Sequence, residues 1–146
     1  MRKFTFRLQK VLDHAAHTER VKQTELAAVR RALAEADRSL MRLVREREEV
    51  LRRARPSAGH VNLTHLKASW AYAARLRRDL EDMKRVVRQL AADMRQKRAA
   101  LLEASKALAL LERQREQKLA EHAEGVSREE QAAQDETATA RHLRAV

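Results

Sequence analysis

The sequence predicts an all-α chain folded as an antiparallel two-helix coiled-coil hairpin, with the second helix longer than the first. Three observations carry this reading. Apolar residues recur at alternating spacings of three and four through two long stretches, the signature of a coiled-coil seam. Helix breakers are scarce, with Pro 1 and Gly 2, and Pro56 and Gly59 fall together between those stretches. Charged residues make up 36% and aromatic residues 3% of the chain, a composition that buries a narrow seam instead of a globular core.

The first element is preceded by Met1 to Lys10, which holds both phenylalanines, Phe4 and Phe6. Their two-residue spacing is not helical stacking, so the segment through Thr5 is expected to be extended, with Thr5 capping a helix that starts at Phe6 or Arg7. From there to Ala54 nothing breaks a helix. A helix over about 6–54 would measure about 70 Å. Its seam is Leu26, Val29, Leu33, Ala36, Leu40, Leu43, Val50 and Ala54, with Arg47 as the interruption. Towards the N-terminus two seams compete: one through Lys22, Glu19, Ala15, Leu12 and Leu8, the other through Val11, Thr18 and Val21. A switch between them would be a stutter that locally unwinds the supercoil.

Residues 55–61, RPSAGHV, form the expected turn. Pro56 disfavours helix at Arg55, and Gly59 permits positive φ. A short turn between two long amphipathic helices makes them antiparallel neighbours. Asn62 or Thr64 suits the N-cap of the second helix, expected over about 62–142. Its seam is Ala73, Leu76, Leu80, Met83, Val87, Leu90, Met94, Leu101, Ala104, Leu108 and Leu111, interrupted later by Lys97, Arg115 and Lys118. Gly125 is a candidate break, because Ser127 and Glu130 have the spacing of a capping box. Continuity is favoured, since one glycine costs only about 1 kcal/mol. In this register residues 6–54 cover about 62–110, and the remainder of the second helix overhangs beyond Phe4.

The formal net charge is +11. It is uneven: residues 1–55 and 56–119 each carry +7, and residues 120–146 carry −3. Such a chain is suited to an acidic partner, an anionic lipid or a nucleic acid. A nucleic-acid reading is weakened by the alternation of arginines with acids and by the lack of an aromatic platform. With no cysteine there is no disulfide framework. Met1 to Lys10 has no apolar signal-peptide core. No run approaches the roughly 20 apolar residues of a membrane span, so the expected chain is soluble or at most peripheral.

No constellation suggests catalysis, and no cofactor or metal is expected. Isolated glycines cannot form a phosphate loop, and no serine sits in a nucleophile elbow. His14 and His17 share a helix face beside Asp13 but fall short of the four ligands of a zinc site. Glu46, Glu48, Glu49, Asp79, Glu81 and Asp82 alternate with arginines as surface ion pairs. Two paired helices also offer no concave substrate pocket. Trp70 and Tyr72, two apart, cannot both face the first helix; Trp70 is expected to pack near Val50 and Tyr72 to lie in solvent.

Phe4-x-Phe6-x-Leu8-Gln9-x-Val11-Leu12 resembles the N-terminal signature of the flagellar FliJ family. Asp135-Glu136-x-Ala138-x-x-Arg141 resembles that family's Asp-Glu-x-Ala motif. Length, basic charge and the position of the turn agree along the whole chain. The resemblance implies a non-enzymatic component of the flagellar type III export apparatus, cytoplasmic and peripheral at the inner membrane. It implies an antiparallel coiled coil similar to the central stalk of rotary ATPases, inserted into the hexameric export ATPase by the end holding both termini. The ring-binding residues would be Phe4, Phe6, Leu8, Gln9, Leu12, Asp135, Glu136 and Arg141. The resemblance further implies handling of export chaperones and contact with the export-gate membrane protein through exposed residues of the second helix. That gate-facing row would be Tyr72, Leu76 and Met83, with the family's small residue falling on Asp79. Leu76 and Met83 also belong to the seam. The competing readings are a basic nucleic-acid-binding coiled coil and a purely structural dimerising one.

The seam assignment is testable. Leu40→Asp puts a charge among apolar side chains and is expected to lower the thermal midpoint followed by circular dichroism. An unchanged melting curve would refute the assignment.

Overall fold

The computed structural model describes residues 3–55 and 62–144. Two helices account for nearly all of them: α1, Gln9–Arg53, of 45 residues, and α2, Leu63–Arg144, of 82 residues. There is no strand among the described residues. The expected turn at 56–61 lies outside them, and Arg55 forms a bend after α1.

Helix α1 starts at Gln9, two to three residues later than the expected Phe6 or Arg7. Arg7 and Leu8 form a turn in which the Gln9 amide donates to the Phe6 carbonyl at 3.0 Å. Thr5 therefore lies before that turn and does not cap the helix. The Gln9 side chain donates to Asp13 Oδ1 at 2.8 Å, one helical turn on. At the other end Arg52 and Arg53 occupy the last turn, where cations meet the negative end of the helix dipole.

The N-cap of α2 is Asn62. Its Oδ1 accepts from the amides of Thr64 and His65, both at 3.1 Å, and so pairs two of the amide donors that a helix start leaves over. Helix α2 runs without interruption through Gly125. A Cβ at that position would meet nothing within 4 Å, so neither packing nor a turn requires glycine there.

The chain divides into two compact units. The unit Lys22–Leu101 is a helical hairpin. Its antiparallel direction is fixed by Tyr72 against Glu46 and Lys97 against Glu25. Its most buried apolar residues are Leu26, Ala36 and Ala54 from α1 and Ala73, Leu76 and Leu80 from α2. Val29, Leu33, Leu40, Leu43 and Val50 on α1, and Met83, Val87, Leu90, Met94 and Leu101 on α2, are half-buried. The side chain of Arg47 takes the seam position between Leu43 and Val50; its Nε is buried without a hydrogen-bond partner among the described residues.

Trp70 does not pack against α1; it is 65% exposed. The seam stepped back from Ala73 by four residues falls on Ser69, which is half-buried, and Trp70 sits one position off that line.

The other unit pairs the segment through Val21 with α2 from Leu102 onward. Leu12, Ala15 and Glu19 face inward opposite half-buried Ala104, Leu108 and Leu111. Val11 is exposed, so the competing seam through it is not used here. Ser105 Oγ donates to Glu19 Oε1 at 2.7 Å, placing a polar contact within the seam.

Glu25 is held by Lys97 across the hairpin at 2.8 Å and by Lys22 on its own helix at 3.3 Å. The Lys97 hydrogen bond, followed by that of Lys22, lowers the Glu25 pKa below its ordinary 4.5. A lowered folded-state pKa means stability present above the unfolded value and lost as pH falls through the folded one. Glu25→Gln is therefore expected to melt slightly below the native chain at neutral pH. The difference should close once the pH is taken well below 4.5. A gap that persists in acid would show that Lys97 and Glu25 do not couple the helices.

Candidate functional site

The first candidate surface lies where the N-terminal segment meets α2. Lys3 to Phe6 are not helical, so their side chains are set by contact with α2 and not by a helical repeat. Phe4 is half-buried, and its ring meets His122 edge-on, with centroids 5.5 Å apart and planes at 65°. This is a favoured geometry for aromatic pairs. An open groove of about 1070 Å³ runs beside the contact. Phe4, Phe6 and Leu8 supply its apolar wall, and Gln114, Gln117, Lys118, Glu121 and His122 its polar wall. Lys118 and Glu121 pair with each other at 2.6 Å across one turn of α2.

Phe4 thus reaches His122, about ten residues beyond the end of the expected coverage near 110. Extended backbone advances about 3.3 Å per residue against 1.5 Å in a helix. From Phe4 to Glu19, which meets Ser105, is fifteen residues, and from Ser105 to His122 is seventeen, so the pairing of α1 with α2 carries most of this advance and the non-helical residues before α1 add about two positions.

Of the residues expected at this end, Phe4, Phe6 and Gln9 are half-buried, and Leu8 is 38% exposed at the groove. Leu12 belongs to the seam. Asp135, Glu136 and Arg141 are exposed on α2, and every residue from Ser127 to Arg141 is likewise exposed. Asp135 lies thirteen positions past His122, roughly 20 Å along the helix axis. The two motifs are therefore not brought together. The phenylalanines lie against residues 114–122, and neither Asp135 nor Glu136 carries an ion pair among the described residues. His122 and the glutamines Gln114 and Gln117 were not singled out as site residues by sequence. The seam rhythm continued from Leu111 through Arg115 and Lys118 does reach His122.

The second candidate surface is the gate-facing row. It is not exposed along its length: Leu76 is 3% exposed and Met83 half-buried, because both are seam residues turned towards α1. Tyr72 is 42% exposed and donates its hydroxyl to Glu46 on α1. That hydrogen bond, reinforced by partial desolvation and the Glu46 charge, raises the Tyr72 pKa above its ordinary value. Asp79 and Val86 lie seven and fourteen residues beyond Tyr72 and are exposed like it. The accessible line on this flank is therefore Tyr72, Asp79 and Val86.

Among the described residues no helix is long and apolar enough to cross a membrane. Compared with known families, the chain matches the family model described as flagellar FliJ protein over residues 4–146. No curated protein and no solved structure matches it.

The burial of Leu76 has a direct consequence. Leu76→Ala is expected to cost about 2–5 kcal/mol, as for other buried leucines. Tyr72→Phe, which keeps the ring and removes only the hydroxyl, should cost far less. Equal melting of Leu76→Ala and the native chain would return Leu76 to the surface row.

Proposed function

Because the chain belongs to the flagellar FliJ family, it is a component of the flagellar protein-export apparatus; we propose that it works there as a non-enzymatic stalk. In this reading the end holding the N-terminal segment inserts into the hexameric export ATPase. The flank around Tyr72 meets the export-gate membrane protein, and export chaperones are handled on the same scaffold.

The observation that supports the reading is the seating of Phe4, Phe6 and Leu8 against α2. Two helices with only a seam between them lack a third layer to shape a catalytic pocket. What they offer is exposed side-chain surface: beside the N-terminal segment, non-helical aromatic residues border a groove of mixed polarity, the composition of a recognition site anchored by aromatic side chains. Asp135, Glu136 and Arg141 add an exposed charged face further along α2, so ring contact would extend over both the groove and that face. Basic charge elsewhere on the chain complements an acidic ring lumen and would hasten encounter. Of the gate-facing row, Tyr72 is the accessible member.

Mixing the full chain with the export ATPase tests the reading. Stable capture is expected at low salt, with increased ring assembly or hydrolysis. Phe4→Ala with Phe6→Ala, and separately Asp135→Ala with Glu136→Ala, should each weaken capture about tenfold or more, the loss typical of truncated anchor residues. No capture of the native chain at low salt would sink the proposal. Full binding by both double variants would move the contact elsewhere.

A further inference from the structure

At the end of the hairpin unit that carries Tyr72, one face of α2 is left unused by the stalk role. Residues 50–78 carry seven Lys and Arg and no Asp or Glu, whereas acids and bases alternate in most of the remaining chain. The described residues of this stretch are the last turn of α1 and the first turns of α2. The Glu46–Tyr72 contact places them at the same end of the unit. Arg53 is seven residues beyond Glu46, and Leu63 nine residues before Tyr72, in the same direction.

On α2 this end presents one outward face. Leu63 and Trp70 are seven residues apart, so they align to within about 20° on the helix. They are 66% and 65% exposed. Lys67 lies between them, and Ala74, Arg77 and Arg78 continue the face, all exposed. Glu49 pairs with Arg52 at 2.7 Å and with Arg53 at 2.6 Å and marks the inner edge of the acid-free region. The largest aromatic side chain of the protein and an aliphatic one thus stand largely in solvent among cations, little covered by the described residues.

We propose that this end of the hairpin docks on an anionic bilayer surface. Trp70 and Leu63 would enter the headgroup boundary, and Arg55, Lys67, Arg77 and Arg78 would meet lipid phosphates. Tryptophan favours the membrane interface because its ring is apolar with a polar edge. Cations near an anionic leaflet add attraction that falls off within a Debye length. A nucleic acid would match the charge but would give Leu63 no apolar environment, and it would find one aromatic ring for stacking where strand-binding surfaces present several. An acidic protein would match the charge alone. The inference concerns the unit Lys22–Leu101 and does not depend on the proposed ring contact, which uses residues of the other unit.

Trp70 is the only tryptophan, so its fluorescence reports on this end alone. The full chain is titrated with vesicles of phosphatidylcholine mixed with phosphatidylglycerol, and with phosphatidylcholine alone. A blue shift with the mixed vesicles is expected, with quenching by lipids brominated near the headgroup and reversal by salt. In co-sedimentation, Lys67→Ala should weaken binding about fivefold. Leu63→Ala should also weaken it, and Leu119→Ala, on the other unit, should not; circular dichroism checks that each remains helical. The proposal is overturned if the mixed vesicles give no shift, or if brominated lipid fails to quench. It is also overturned if duplex DNA or polyglutamate produces an equal shift, which would assign the face to a nucleic acid or to an acidic protein.

Discussion

Two helices packed together, with no third element among the described residues, can bury only one stripe on each. Every other choice in this protein follows from that limit. Three of the most buried residues are small: Ala36, Ala54 and Ala73. Leucines fill the intervening positions, as at Leu26, Leu76 and Leu80. No described polar or charged residue is fully buried. Arg47 shows the tension within so thin a core. Its stem can cover the seam while the guanidinium turns outward, but its Nε remains covered and without an acceptor among the described residues. Such a group weakens the layer in which it sits.

Polar residues inside the seam do a different task. Glu19 with Ser105, and Glu25 with Lys97, each join α1 to α2 within their own unit. Apolar seams tolerate sliding by a heptad because one leucine resembles the next. A pair of complementary polar groups does not, since a slipped register leaves both without a partner. At this degree of exposure such pairs add little to stability, and their larger effect is to fix which residues stand opposite. That register decides where on α2 the N-terminal phenylalanines come to rest.

The seam was readable from sequence because its three-four rhythm is strong: all eleven α2 positions named from spacing, from Ala73 to Leu111, are buried or half-buried. The cap of α2 was readable to a choice of two residues, and Asn62 takes it because its short side chain reaches the amides of Thr64 and His65. Trp70 sits one position off the seam, and a ring there stays outside whatever its apolar area. Helix α1 starts two to three residues after Phe6 or Arg7, as the Phe6 carbonyl is taken by a turn and not by a helix. The groove beside Phe4 is not legible in the spacing, since it depends on which α2 residue stands opposite Glu19 and only then on how far the non-helical segment reaches beyond it. The gate-facing row came from resemblance, and its members divide because Leu76 and Met83 follow the seam while Tyr72 does not.

The continuity of α2 through Gly125 bears on how its terminal part behaves. Helices are costly to nucleate and inexpensive to extend. A separate helix beginning at Ser127 would have to form its own first turn, and a segment that short is marginal in water. As a prolongation of α2, residues 127–141 bear only the cost of propagation, one residue at a time. Their helicity therefore fades from the C-terminal tip inward instead of melting as a block. A partner that grips the Asp135-Glu136 face would shift the point where the helix ends and would leave the seam behind it untouched.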